Sequence, residues 1–142
     1  MKRRVSLRFF FEQIGKGGCG VCAVNTILKK FGLKGVIFPF SPKKGVTSTR
    51  ILRELRKAGL IAEPKTISIR NLRPWLILWY PPKGGDGGDH YVVIGEIVDG
   101  WVLIYDSERK KPYWSQLSTL KKKWYRWYRG RWCGWVIEVG EG

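Results

Sequence analysis

The chain has one histidine, one methionine, three cysteines and only eleven acidic residues among 142. Each scarcity narrows the chemistry. With His90 the sole imidazole, any histidine-dependent proton transfer must run through that ring. Three cysteines is an odd number, and Cys19 and Cys22 are too close for an ordinary bridge across a fold. That argues against a disulfide framework and for a reducing compartment or a reactive thiol. No apolar run approaches membrane-spanning length, and Glu12 interrupts the basic, Phe-rich start before a signal-type hydrophobic stretch forms. The expected setting is therefore cytoplasmic, with no membrane span. No internal repeat is visible.

What is abundant is positive charge. Twenty-seven Lys and Arg against eleven acids give a net charge of +16 and a pI near 10.1. Such a chain attracts polyanions whatever else it does. The cations are spread along the sequence, so the expected reading is a solvated cationic surface with weak nucleic-acid binding erased by salt. Hydrophobic residues make up 44%, with eight Trp, enough for one folded domain over 1–142 rather than a disordered basic tail.

Helical periodicity dominates the first half and alternation the second. Residues 9–13 read as a short extended lead-in, broken at 15–18. Residues 19–31 read as a helix with Ala23, Val24, Ile27, Leu28 and Phe31 on its apolar face and Gly32 as its stop. Thr47 or Ser48 caps a second helix running through Ala58, and Gly59-Leu60 closes it. Residues 66–69 and 75–80 are strand candidates, and 81–89 a glycine-rich loop. Strands over 90–97 and 101–106 flank Asp99-Gly100, a hairpin signal. Leu117, Leu120, Trp124 and Trp127 recur at helical spacing. Cys133, Trp135, Ile137 and Val139 alternate as one face of a final strand. Helices followed by antiparallel strands make an α+β fold.

The chemistry starts at Cys19. At a helix N-terminus, unpaired amides and the positive end of the dipole stabilise a thiolate, and flanking glycines let a substrate approach the backbone. His90, at the first residue of a strand after a loop, can reach that helix end as a base. Asp106, ending the paired strand, can receive the His90 Nδ1–H and fix the tautomer. Gln13 precedes Cys19 closely enough for its amide to join the Cys19 backbone N–H in holding an oxyanion. The bland alternatives are a buried small thiol, a strand histidine and a turn acid.

Other constellations are weaker. Cys19, Cys22, Cys133 and His90 could in principle make a Cys3His zinc site, but a second Cys-x-x-Cys is missing and Cys133 shares an inward face, so no metal or cofactor is expected. A thioredoxin-type pair needs a βαβ setting. The Gly84–Asp89 segment fits one turn of a calcium β-roll, which needs stacked copies; a lid beside His90 is preferred. In 121–132, Lys and Arg alternate with aromatic rings, which suits stacking on single-stranded bases. The preferred reading puts Trp124 and Trp127 on the late helix's apolar stripe, leaving Tyr125, Tyr128 and Trp132 unexplained.

Gln13 with Cys19-Gly20 and its helix, Gly45-Val-Thr-Ser, Ala58-Gly59-Leu60, the run 75–80, Asp89-His90-Tyr-Val-Val-Ile and Val102-Leu-Ile-Tyr-Asp106 together resemble the C39-type, bacteriocin-processing peptidases. The resemblance runs from about Phe11 to Trp127 as scattered short motifs. It implies a papain-like fold with Cys19 as nucleophile, His90 as base, Asp106 as orienting acid and Gln13 as oxyanion donor. It also implies a peptide or protein substrate, often cut after Gly-Gly in family members. Two positions depart from the family pattern. Gly18 stands where many members have Asp, and Ser107 where a proline often follows the acid. The expected function is thus a thiol hydrolase, most simply a cysteine peptidase, with deamidation or transpeptidation open to the same residues. The rival reading is a cationic nucleic-acid-binding module that keeps the fold without the chemistry.

Register decides whether His90 and Asp106 can meet. A two-residue Asp99-Gly100 turn pairs Val98 with Trp101 and sends the two side chains to opposite faces. A three-residue loop over 98–100, with Gly100 in a bulge, opposes Val92 to Asp106 and puts both on one face. The pairing therefore predicts the three-residue loop.

Overall fold

The structure, a computed structural model, describes residues 5–12, 18–42, 45–81 and 90–142, so Gln13 and most of the glycine-rich loop before His90 lie outside the described residues. Helix α1 (Cys19–Lys30) buries Val24, Ile27 and Leu28 completely, at the spacing that aligns one face of a helix. It stops where Gly32 adopts φ +70°, a left-handed conformation, and the Leu33 N–H closes back onto Leu28 O at 2.8 Å. Helix α2 (Ser48–Lys57) is capped by Thr47, whose hydroxyl accepts from the Arg50 N–H at 3.2 Å. It ends at Ala58, before Gly59 at φ +95°. Both helices match their expected bounds closely.

Seven strands follow: β1 (Leu60–Ile67), β2 (Ile77–Tyr80), β3 (His90–Val98), β4 (Trp101–Tyr105), β5 (Tyr113–Gln116), β6 (Arg126–Tyr128) and β7 (Arg131–Glu141). They pair antiparallel in the order β1-β7-β2-β3-β4-β5, with β6 added to β7 alone. Helices α1 and α2 cover one face of the sheet, over Ile77, Tyr91, Val93, Tyr105 and Ile137. Helix α3 (Leu117–Trp124) covers the other through Leu120 and Trp124, over Leu78, Val92, Ile94, Ile104 and Val136. Two covered faces explain why β3 reads as an unbroken apolar run rather than an alternation. Each fully buried aliphatic side chain contributes roughly 1.5–3 kcal/mol. None of the described helices is long and apolar enough to cross a membrane.

Several sequence expectations are corrected. The lead-in begins one residue late, because a turn precedes it: the Phe10 N–H bonds back to Leu7 O at 3.1 Å, and residues 10–12 belong to no regular element. Strand β1 starts at Leu60 instead of 66, and it tolerates Pro64 because it lies at the edge of the sheet. Strand β2 starts only at Ile77, because Trp75 adopts φ 66° and stacks its ring on Tyr105. Strands β5 and β6, of four and three residues, have no counterpart in the sequence reading. Helix α3 ends at Trp124, since Tyr125 is already extended, so Trp127 does not complete its stripe and is 62% exposed.

Candidate active site

The β3–β4 hairpin turns through two residues, not three. Asp99 and Gly100 both take positive φ, 48° and 79°, and Val98 pairs with Trp101. That turn alone would separate His90 from Asp106. Between Ile94, opposite Ile104, and Ile97, opposite Val102, the chain instead carries an extra residue, with Gly95 and Glu96 both facing Leu103. This bulge restores the register, so Val93 pairs with Tyr105 and Val92 comes opposite Asp106. The expected placement holds, by a different device from the expected one.

His90 Nε2 lies 2.8 Å from Asp106 Oδ1, where the sequence reading had put Nδ1. The correction matters chemically. With Nε2 committed to the carboxylate, Nδ1 is the nitrogen left for the thiol. Asp106 is itself fixed: its Oδ1 also accepts the Glu108 N–H at 3.0 Å, and its carbonyl accepts the Arg109 N–H at 3.0 Å. This side-chain-capped turn over Asp106-Ser-Glu-Arg was legible as turn chemistry but had not been connected to the site.

Cys19 opens α1 directly after Gly18, and its side chain hydrogen-bonds to His90. The start of α1 is pressed tightly onto the chain before α2: a Cβ on Gly20 would lie 2.7 Å from Val46 Cβ. Further along, Asn25 ties α1 to the following segment by donating to Val36 O and accepting from the Val36 N–H, both at 2.8 Å. Cys19 is only 4% exposed, lying in a crevice with Phe10, Phe11, Tyr91, Tyr105 and Ser107.

Electrostatics favour an imidazolium here. Burial works to lower the His90 pKa, but hydrogen bonds to Asp106 and Cys19, together with their charges, outweigh it and hold it at about 10. Burial likewise works to raise the Asp106 pKa, yet the bond and charge of His90, the Glu108 amide and Arg109 hold it below the ordinary value. Burial pushes the Cys22 thiol up, against a hydrogen bond with Ser107, so Cys22 is kept protonated one turn from Cys19. Burial also raises Tyr80 well above a normal phenol, leaving a neutral ring 5.9 Å from the His90 ring.

The four-ligand zinc set is not assembled. Among the described residues, the one group of metal-ligand type within 4.8 Å is His90, Asp106 and Glu108, and it contains no cysteine. On the same side of the sheet as α1, an apolar cleft of ≈ 300 Å³ opens between Ser48, Pro64, Trp79, Tyr91 and Trp135. Tyr91 borders both this cleft and the Cys19 crevice, and its hydroxyl is 2.7 Å from Ser48 Oγ.

This arrangement has relatives. Among curated proteins none matches the sequence. In three dimensions the chain is similar to the peptidase domain of Streptococcus ComA, a bifunctional ABC transporter involved in quorum sensing. The TM-score is 0.68 at 17% identity, covering 92% of this chain and 96% of that one. It is similar also to a double-glycine-motif protease from an AMS/PCAT transporter, solved with a leader peptide. There the TM-score is 0.71 at 17% identity, with 98% and 93% covered. A third is the N-terminal C39-like domain of a toxin-secretion ATP-binding protein from Vibrio parahaemolyticus, with TM-score 0.62 at 17% identity, covering 92% and 100%. At such identities the likeness establishes the α+β, C39-type fold. The profile of the peptidase C39 family matches residues 10–128, most of the sequence, and the chain accordingly belongs to that family.

Proposed function

We propose that this protein is a cysteine peptidase acting as one unit over 1–142, with Cys19 as nucleophile, His90 as proton carrier and Asp106 as orienting acid. The observation that carries the reading is the linked pair of hydrogen bonds running from Cys19 through His90 to Asp106, the last at 2.8 Å, at the N-terminus of a helix. His90 takes the thiol proton at Nδ1 while its Nε2–H remains on Asp106. Cys19 Sγ attacks the scissile carbonyl and forms a tetrahedral oxyanion, which the Cys19 backbone N–H and the Gln13 side chain would hold. Collapse expels the amine, which receives the proton from His90, and leaves a thioester. Water, deprotonated by His90, then releases the acid and the free thiol.

The substrate is a peptide, and cleavage after Gly-Gly is the specificity suggested by the double-glycine protease among the similar structures. The apolar cleft beside Tyr91 supports a peptide with apolar side chains near the cut. Cys19, Cys22 and Cys133, held as thiols rather than disulfides, suit a reducing compartment such as the cytoplasm. The test is a peptide bearing Gly-Gly before a reporter amide, together with alkylation by limiting iodoacetamide. Reporter release should vanish in Cys19→Ala, and alkylation at neutral pH should fall on Cys19 ahead of Cys22 and Cys133. His90→Ala should slow both by roughly a hundredfold or more, the scale of a lost proton carrier. Equal, slow labelling of all three thiols and no reporter release would sink the proposal.

A further inference from the structure

The peptidase reading does not use the basic, aromatic segment that follows the fold's main hairpin. From Arg109 to Ile137 the chain holds nine Lys and Arg and no Asp or Glu. Trp124 is spent on the core, at 1% exposed, and Tyr113, Trp114 and Tyr125 pack against it, but Trp127 and Trp132 are 62% and 57% exposed and stand opposite each other on β6 and β7. They meet edge to face, with centroids 5.8 Å apart, and Trp132 stacks on Tyr125 at 22° between planes. Together with Lys121, Lys122 and Arg126 these three rings line a groove of ≈ 810 Å³ between α3 and the β6–β7 hairpin.

The polar groups of this groove are positioned but not neutralised. Tyr125 is anchored because its hydroxyl accepts the Ile69 N–H at 2.7 Å, and Arg126 is oriented by donating to Tyr125 O at 2.7 Å. Among the described residues none of Lys121, Lys122 and Arg126 pairs with a carboxylate. An anchored ring, two exposed indoles and three unneutralised cations in one concavity call for a ligand with flat faces and regularly spaced negative charge.

We infer that this groove binds single-stranded nucleic acid, with bases stacking on Trp132 and Trp127 and phosphates on Lys121, Lys122 and Arg126. A lipid surface fits less well, since it needs rings at the outermost point with cations behind them, whereas here cations and rings line one groove, with Lys121 Nζ 5.6 Å from the Tyr125 ring centroid. A duplex fits less well because its base faces are already stacked. This site is independent of Cys19 and His90, so it stands or falls separately from the peptidase reading.

The test is fluorescence anisotropy of a labelled oligothymidylate on the intact protein, at about 50 mM and about 200 mM salt. Polyglutamate and phosphatidylserine vesicles serve as competitors. Binding should persist at the higher salt, and neither competitor should displace the oligonucleotide there. Trp132→Ala and Trp127→Ala, both surface changes, should each weaken binding about tenfold, the scale of one lost base–ring stack. Trp132→Phe should retain most of it. Lys121→Ala should weaken binding and reduce the salt slope by about one. The inference is overturned if removing the rings leaves affinity unchanged, since charge alone then explains binding. It is equally overturned if polyglutamate or the vesicles displace the oligonucleotide, or if no binding survives the higher salt.

Discussion

His90 and Asp106 share a face of the sheet because the Gly95-Glu96 bulge, not the turn, supplies the odd residue in their hairpin. A Cβ on Gly95 would lie 2.8 Å from the Tyr105 ring, so the bulge is fitted to its neighbour as well as required by register. The geometry of the site is therefore set some distance along the strand from the residues that form it.

Deleting Glu96 removes the extra residue and makes the hairpin regular, yet leaves Ile94 opposite Ile104 and His90 on the face of Asp106. The imidazole titration, followed by NMR, should then stay near 10 rather than fall toward the ordinary 6.5. A deletion variant that folds and titrates near 6.5 would show that register alone does not set the pair.

Stability should carry the signature of that pair across pH. The His90 value is raised on folding, so its contribution is fully present below 6.5 and fades as pH climbs through about 10. The Asp106 value is lowered on folding, so its contribution is present above 3.8 and fades as pH falls through the folded value. The melting temperature of the native protein minus that of Asp106→Asn should thus form a plateau between the two limits and decline at both. A difference that does not change with pH would contradict the coupling.

Trp124 is the other structural keystone. Its indole is buried, its Nε1–H donates to Trp135 O at 2.8 Å, and a Cβ on Gly134 would sit 2.0 Å from the ring. Trp124→Ala should cost roughly 3–5 kcal/mol. Trp124→Phe keeps most of the packing but leaves the carbonyl unpaired, a loss of roughly 1–3 kcal/mol. Chemical denaturation measures both, and a Trp124→Phe variant as stable as the native protein would mean that the hydrogen bond carries nothing.

The helices were readable because their caps and stops are local: Thr47, Gly32 and Gly59 do by themselves what the chain needs there. The positions of Cys19, His90 and Asp106 were readable for a related reason: Cys19 and His90 open elements and Asp106 directly follows one. What escaped is non-local. Nothing in Ile94-Gly95-Glu96-Ile97 announces a bulge; it exists because Ile94 and Ile97 both pack on the α3 face while the turn takes only two residues. Trp127 has helical spacing from Trp124, yet its strand pairing with Trp132 prevails. The choice of Nε2 over Nδ1 depends on ring orientation, which no sequence pattern encodes. Gln13 lies outside the described residues, and its place stays an expectation.

Strand β7 lies between β1 and β2, although it is the last of the seven to be made. During synthesis the ribosome therefore releases Cys19, His90 and Asp106 long before the sheet beneath them can close. Until β7 arrives, β1 and β2 each present an open edge, and a nascent chain in that state offers two templates for pairing with another copy. Among the described strands a central one is thus made last, and a chain cut short before Arg131 would be prone to aggregate rather than fold into a smaller version of the same sheet.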